Sequence, residues 1–182
     1  MKNIPNIITM LRVLIIPLLV FTILSTSKNL NLLALIFFVI ASLTDYFDGF
    51  LARRMSIESD FGRMLDPIAD KLLIICTLIA LMINETIVGI SLIPAFIIIS
   101  REIFISGLRE YYSSQENNIK INVSYLGKLK TAIQMLSLAL LILSLSFGEN
   151  QFNIFFFGIT MIWLAMILTV ISGYQYFVKV YN

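Results

Sequence analysis

The sequence predicts an all-α fold: a polytopic membrane bundle of six transmembrane helices. Three observations carry that expectation. Apolar residues fill 59% of 182 positions, and the mean hydropathy of +0.93 is far above that of an ordinary soluble domain. These residues gather into six long segments with short polar breaks, each segment near the roughly 20 residues a spanning helix needs. Basic residues then fall almost wholly on one side of the membrane that the segments define. The length suits one compact bundle, so residues 1–182 are read as a single integral-membrane domain.

The segments run approximately 7–24, 32–54, 62–83, 89–112, 126–146 and 153–178. The first follows Lys2 and contains Arg12, and Ser25-Thr26-Ser27 behind it has the look of a leader cleavage site. The basic region is too long for a leader and the rest of the chain is equally hydrophobic, so this segment is read as a span. The second is apolar only from Leu32 to Leu43. Asp45 therefore lies roughly 20 Å from the outer start of that helix, against a hydrocarbon thickness of about 30 Å. The third contains Cys76, the only cysteine, which is expected to pack as a small hydrophobe and excludes an intrachain disulfide. The fourth contains Arg101, Glu102, Arg109 and Glu110, and the fifth opens on Lys128 and Lys130. The sixth is rich in aromatic residues (Phe155, Phe156, Phe157, Trp163), which suit a lipid-facing surface or a homodimer contact. No internal repeat or low-complexity tract is found.

Lys2, Arg12, Arg53, Arg54, Arg63, Lys71, Arg101, Arg109, Lys120, Lys128, Lys130 and Lys179 fall at the termini and even-numbered turns, and only Lys28 falls opposite. This 12 to 1 split is a positive-inside signal that places both termini in the cytoplasm of a multi-pass protein of the cell membrane, in a bacterium the cytoplasmic membrane. A net charge of only +2 gives no general attraction to nucleic acid. The absence of histidine excludes imidazole as a general base and the usual zinc sets. Proton chemistry falls to carboxylate, lysine, tyrosine or water.

Residues 42–73 hold six acidic and four basic residues between apolar flanks. A carboxylate in lipid costs several kcal/mol unless it is paired, solvated or ligated. Asp45, Asp48, Gly49, Ala52 and Arg53 share one helical stripe, and Gly62, Asp66 and Asp70 share another on the next helix. A short loop makes the two helices antiparallel, so the stripes can face each other at a cytoplasmic opening. Four close carboxylates repel unless cations intervene, and oxygen ligands without His or Cys favour Mg²⁺ or Mn²⁺. Gly49 and Ala52 leave a groove beside the acids, and Arg53 suits a phosphate. Each piece has a plainer explanation. Asp48-Gly49 is a common turn, and Gly49 with Ala52 is a helix-packing face. Asp66-Pro67 reads as a helix cap, and Arg53-Arg54 as an interfacial anchor. None of these explains the four acids together.

The spacing D-x2-D-G-x2-A-R-x8-G-x3-D-x3-D, at Asp45, Asp48, Gly49, Ala52, Arg53, Gly62, Asp66 and Asp70, resembles without departure the signature of the CDP-alcohol phosphotransferase family. The six-segment pattern extends the resemblance over nearly the whole chain. It implies transfer of a phosphatidyl-type group from a CDP-linked lipid to an alcohol with release of CMP. It further implies two divalent ions on Asp45, Asp48, Asp66 and Asp70, Asp70 as the base, and CDP contacts from Gly49, Ala52, Arg53 and Gly62. It implies a homodimer as well. The stretches NIPNIITMLR, SREIFISGLRE and GKLKTAIQM resemble the branch of the family that accepts glycerol 3-phosphate, with CDP-diacylglycerol as donor. A phosphorylated acceptor needs cations, and Arg101, Arg109, Lys128 and Lys130 on the cytoplasmic side are the candidates, with Glu102 and Glu110 as neutralising neighbours. The alternatives are another acceptor (inositol phosphate or serine), an intramembrane prenyltransferase, or a cation carrier or scaffold.

The topology is tested by labelling. On a Cys76→Ala background, single cysteines in residues 84–89 and 147–152 should react with an impermeant thiol reagent from outside. Labelling of residues 116–122 instead means that the orientation is reversed.

Overall fold

The computed structural model of the chain describes residues 4–55, 60–114, 125–147 and 152–181, with side chains over 9–44, 65, 67–111, 125–147 and 152–178. Among the described residues the protein is all-helical, with six α-helices and one 3-10 turn. They are α1 Ile4–Ile23, α2 Lys28–Met55, α3 Asp60–Ile83, α4 Leu92–Ser114, α5 Tyr125–Ser144 and α6 Phe152–Tyr181, with the 3-10 turn Gly89–Ser91 leading into α4. Each expected segment has its helix, and α2 and α3 begin earlier than their apolar runs. Asp48-Gly49 lies within α2, so it is no turn. α3 starts at Asp60 and carries Pro67 inside it, so Asp66 does not cap a helix start.

Among the described residues three helices are long and apolar enough to cross a membrane: Gly89–Tyr111, Tyr125–Ser144 and Phe152–Val178. Thr9–Ile23 and Lys28–Thr44 are shorter apolar stretches. In the sequence the apolar run of α2 ends at Leu43, two residues before Asp45. Large apolar side chains such as Leu14, Phe21, Ile90, Phe156 and Val170 lie exposed, while Arg12, Thr77, Glu102, Lys130, Gln134 and Ser137 are buried. That distribution inverts the ordinary soluble pattern and suits an apolar solvent.

α5 and α6 make the most extensive pairing, α1 packs on α2 and α3, α4 on α6, and α2 on α5. Leu19, Ile23, Phe38, Leu78, Ile98 and Leu141 form part of one continuous core. Some buried hydroxyls are satisfied within their own helices: Thr77 Oγ1 donates to Leu73 O at 2.6 Å and Ser144 Oγ to Leu141 O at 2.7 Å. Other bonds run between helix segments. Asn84 Nδ2, just past α3, donates to Ile23 O at the end of α1 over 2.6 Å, answering a terminal carbonyl. Ser137 Oγ of α5 donates to Gly158 O of α6 over 2.9 Å. α3 ends in a left-handed residue, Glu85 at φ 59°, with Thr86 N donating to Leu81 O and Glu85 N to Met82 O. This bond pair closes the last turn and aims the chain back toward α4.

Gly158 lets α5 and α6 approach closely. A Cβ there would lie 2.8 Å from Leu141 Cδ2 and 3.3 Å from Leu141 N. Gly158→Val should therefore destabilise the bundle by about 1–3 kcal/mol, the range for overpacking. Thermal unfolding in detergent measures this, and an unchanged midpoint would refute the close α5–α6 packing at this level.

Candidate active site

Asp45, Asp48, Gly49, Ala52 and Arg53 lie in the last turns of α2, and Gly62, Asp66 and Asp70 in the first turns of α3. Both stretches are helical throughout, so the offsets of three, four, seven and eight hold each set to one helical stripe. The side chains of Asp45, Asp48, Ala52, Arg53 and Asp66, and the surroundings of Gly49 and Gly62, lie outside the described residues. Asp70 is described and partly exposed. Among the described residues no three His, Cys, Asp or Glu side chains gather into a metal-sized group, and three of the four aspartates are not among them. The proposed donor set itself consists only of carboxylate oxygens, which fits a hard divalent cation.

The clearest polar geometry involves the basic candidates. Lys130 Nζ of α5 donates to Glu102 Oε1 of α4, with both side chains buried. The other carboxylate oxygen, Glu102 Oε2, stands 3.7 Å from Arg101 Nη1. Arg101 Nη2 donates to Ser172 Oγ of α6 over 3.3 Å, and Ser172 Oγ donates to Thr169 O over 3.1 Å. One cluster thus ties α4, α5 and α6. α4 and α5 both pack against α3, which sets the cluster beside the helix that carries Asp70.

The four basic candidates do not behave alike. Arg101 and Lys130 converge through Glu102, whereas Arg109 and Lys128 are exposed. Lys128 and Lys130 are two residues apart, which on a helix sets them on nearly opposite sides. Burial of Lys130 therefore turns Lys128 outward.

α6 contributes a polar stripe that the hydropathy pattern hides. Thr169, Ser172, Gly173 and Tyr176 have offsets of zero, three, four and seven, hence one face. Gly173 leaves room for Arg101: a Cβ there would lie 3.4 Å from Arg101 Nε. Arg101 Nε, both amide atoms of Gln134, Thr169 Oγ1 and Tyr176 Oη are buried without a hydrogen-bond partner among the described residues. Native proteins rarely leave such groups unanswered, so a cluster of them beside two cations fits a polar ligand. Arg101 also lines a mainly apolar groove of about 670 Å³ between α4 and α6, with Phe96, Phe104, Val170 and Phe177 among its walls. The groove lies beside the charged cluster, and its apolar lining makes it no site for phosphate chemistry.

A family model for CDP-alcohol phosphatidyltransferase matches residues 2–171. The chain belongs to the CDP-alcohol phosphatidyltransferase family. A Rickettsia bellii protein named CDP-diacylglycerol–glycerol-3-phosphate 3-phosphatidyltransferase is 40% identical over 176 residues, covering 97% of this chain and 94% of the relative. Proteins of the same name from Haemophilus influenzae and Salmonella choleraesuis are 38% and 36% identical, each over 174 residues and 96% of this chain, and over 91% and 92% of their own lengths. This membership makes the chain an enzyme of a transferase family and decides against the prenyltransferase and carrier readings.

Sequence reasoning treated Glu102 only as a neutralising neighbour and passed over Gln134, Ser172 and Tyr176. The signals were present: an amide one turn beyond Lys130, and polar residues at helical spacing in TVISGYQY. Glu102 and Lys130 should be energetically coupled, because removing either leaves the other short of a counter-charge in a buried place. A double-mutant cycle of Glu102→Gln and Lys130→Met, read by thermal unfolding, should show a coupling of about 1–3 kcal/mol. Strict additivity would dismiss the pair as a structural tie.

Proposed function

We propose that the chain transfers the phosphatidyl group of CDP-diacylglycerol to glycerol 3-phosphate, giving phosphatidylglycerol phosphate and CMP. The relatives' shared name and the match of all eight motif positions support this reading. In it the chain is one integral-membrane domain that crosses the cell membrane six times, with both termini and the site on the cytoplasmic side. The 12 to 1 distribution of basic residues and the apolar exterior support that placement.

Asp45, Asp48, Asp66 and Asp70 would hold Mg²⁺ or Mn²⁺, two ions in all. Bound there, the ions supply charge neutralisation for the donor pyrophosphate and the departing phosphate. Arg53 pairs with a CDP phosphate, while Gly49, Ala52 and Gly62 leave space for the CDP moiety to approach the backbone. Arg101 and Lys130 grip the acceptor phosphate, and Arg109 and Lys128 attract it at the rim. Asp70 takes the proton of the acceptor hydroxyl, whose oxygen forms the new bond to phosphorus. The bond from phosphorus to CMP breaks, and CMP leaves with the electron pair. Asp70 is a weak base, so alignment of the hydroxyl supplies much of the rate. The observation that carries the acceptor assignment is the convergence of Arg101 and Lys130 on Glu102, on helices α4 and α5 that both pack against α3, the helix of Asp70. Base and phosphate clamp then lie on adjoining helices, as a short acceptor with a hydroxyl and a phosphate requires.

CMP release from CDP-diacylglycerol should depend on glycerol 3-phosphate and fail with serine or inositol phosphate. Preference for either of the latter would reassign the acceptor. Asp45→Asn, Asp48→Asn and Asp66→Asn should each abolish turnover while the bundle stays folded, and robust activity in excess chelator would refute the metal site. Arg101→Ala and Lys130→Ala should raise the glycerol 3-phosphate requirement about tenfold or more, since each charge-assisted bond contributes about 1.5–3 kcal/mol. Their CDP-diacylglycerol dependence should hardly change, and Arg53→Ala should do the reverse. Wild-type glycerol 3-phosphate kinetics in both cation variants would remove the clamp from the proposal.

A further inference from the structure

We propose that Glu102 is a positioning residue that acts as a resident counter-anion: it holds Arg101 and Lys130 ready and competes with the acceptor phosphate for them. The inference rests on the acceptor reading above and concerns what regulates that site. The geometry is specific. The two oxygens of one carboxylate are divided between two cations, Oε1 on Lys130 Nζ and Oε2 at 3.7 Å from Arg101 Nη1. That is an arrangement a phosphate would adopt on the same pair, with its further oxygen left for another donor. The cluster is buried, with Glu102 7% and Lys130 5% exposed, so water screens these charges little.

Two consequences follow. Without Glu102, two cations from neighbouring helices would face each other in a dry place and spread apart, losing the geometry that aims the acceptor. With Glu102 present, an incoming phosphate dianion meets a clamp already half neutralised. The same holds for the product, whose phosphate monoester is the group the clamp gripped at the start. A permanent carboxylate therefore weakens ground-state binding of the phosphate and speeds its departure. A residue that merely supported the fold would weaken phosphate binding when removed. A competing anion does the opposite.

The test uses the full chain in lipid nanodiscs, with inorganic phosphate as the probe and glycerol 3-phosphate as the varied substrate. In Glu102→Gln the inhibition constant for inorganic phosphate should fall about tenfold, equivalent to one lost unfavourable charge contact. Turnover should fall at the same time, with the KM for CDP-diacylglycerol unchanged. Glu102→Asp, which keeps the charge, should return the phosphate constant to near the wild-type value. If Glu102→Gln has too little activity to assay, phosphate binding is read without turnover, as a larger phosphate-induced rise in unfolding temperature than in the unaltered chain. An unchanged or weakened response to phosphate in Glu102→Gln overturns the inference. If instead Arg101→Ala and Lys130→Ala leave phosphate inhibition untouched, the acceptor reading itself fails and the inference fails with it.

Discussion

A charged side chain in an apolar bundle must find its counter-charge inside the bundle, and that constraint organises this molecule. Glu102 meets Lys130 across α4 and α5, and Arg101 extends the link to Ser172 on α6. Among the described residues these three helices are long and apolar enough to cross a membrane. Glu102 and Lys130 are buried in the bundle, so their pairing fixes which faces of α4 and α5 turn inward. Once Lys130 is turned in, Gln134 and Ser137 come with it along the face of α5, and Ser137 fastens that face to Gly158. The charged cluster and the close α5–α6 contact are thus successive levels of one seam.

The acidic motif meets the same constraint by another route. α2 continues past its apolar run, which ends at Leu43 in the sequence, and its last turns carry Asp45, Asp48 and Arg53. α3 starts with the complementary turns, carrying Gly62, Asp66 and Asp70, before it becomes apolar. Continuous helix through both stretches gives the acids a fixed spacing instead of the freedom of a loop. A site held on helices keeps its geometry with less dependence on ligand than one built on a mobile segment. α3 also packs on α4 and α5, so the motif and the cation cluster lie on helices that touch.

Much of the architecture was legible because the signals are periodic. Hydropathy located all six helices to within a few residues, and the offsets within the acidic motif were sufficient to expect a helical stripe rather than a turn at Asp48-Gly49. Pro67 was a misleading cue. Proline often opens a helix, yet here the turns preceding it are already helical, from Asp60 onward. The cation cluster was only half legible. Sequence marks Arg101, Arg109, Lys128 and Lys130 as equals, because all are basic and on one side. Which of them turn inward depends on the rotation of α4 and α5 about their axes, and that rotation is set by contacts across helices that are distant in sequence. Glu102 and Lys130 are 28 residues apart, beyond any local pattern. The α6 stripe was obscured because Thr169, Ser172 and Tyr176 are weakly polar and lie in an overwhelmingly apolar run.

The division of the cluster among helices also bears on how such a chain is built. α4 leaves the ribosome with Arg101 and Glu102 side by side, one cation and one anion already able to mask each other. α5 follows with Lys130, whose partner is in the preceding helix. If α4 entered the bilayer alone and drifted away, Lys130 would arrive without its counter-charge. Lys130 is neutralised on entry only where α4 is still beside it when α5 emerges. α6, which brings Ser172 to Arg101, then closes onto a pair that has already been assembled. The buried ion pair would in this way set the order of membrane integration as well as the geometry of the finished protein.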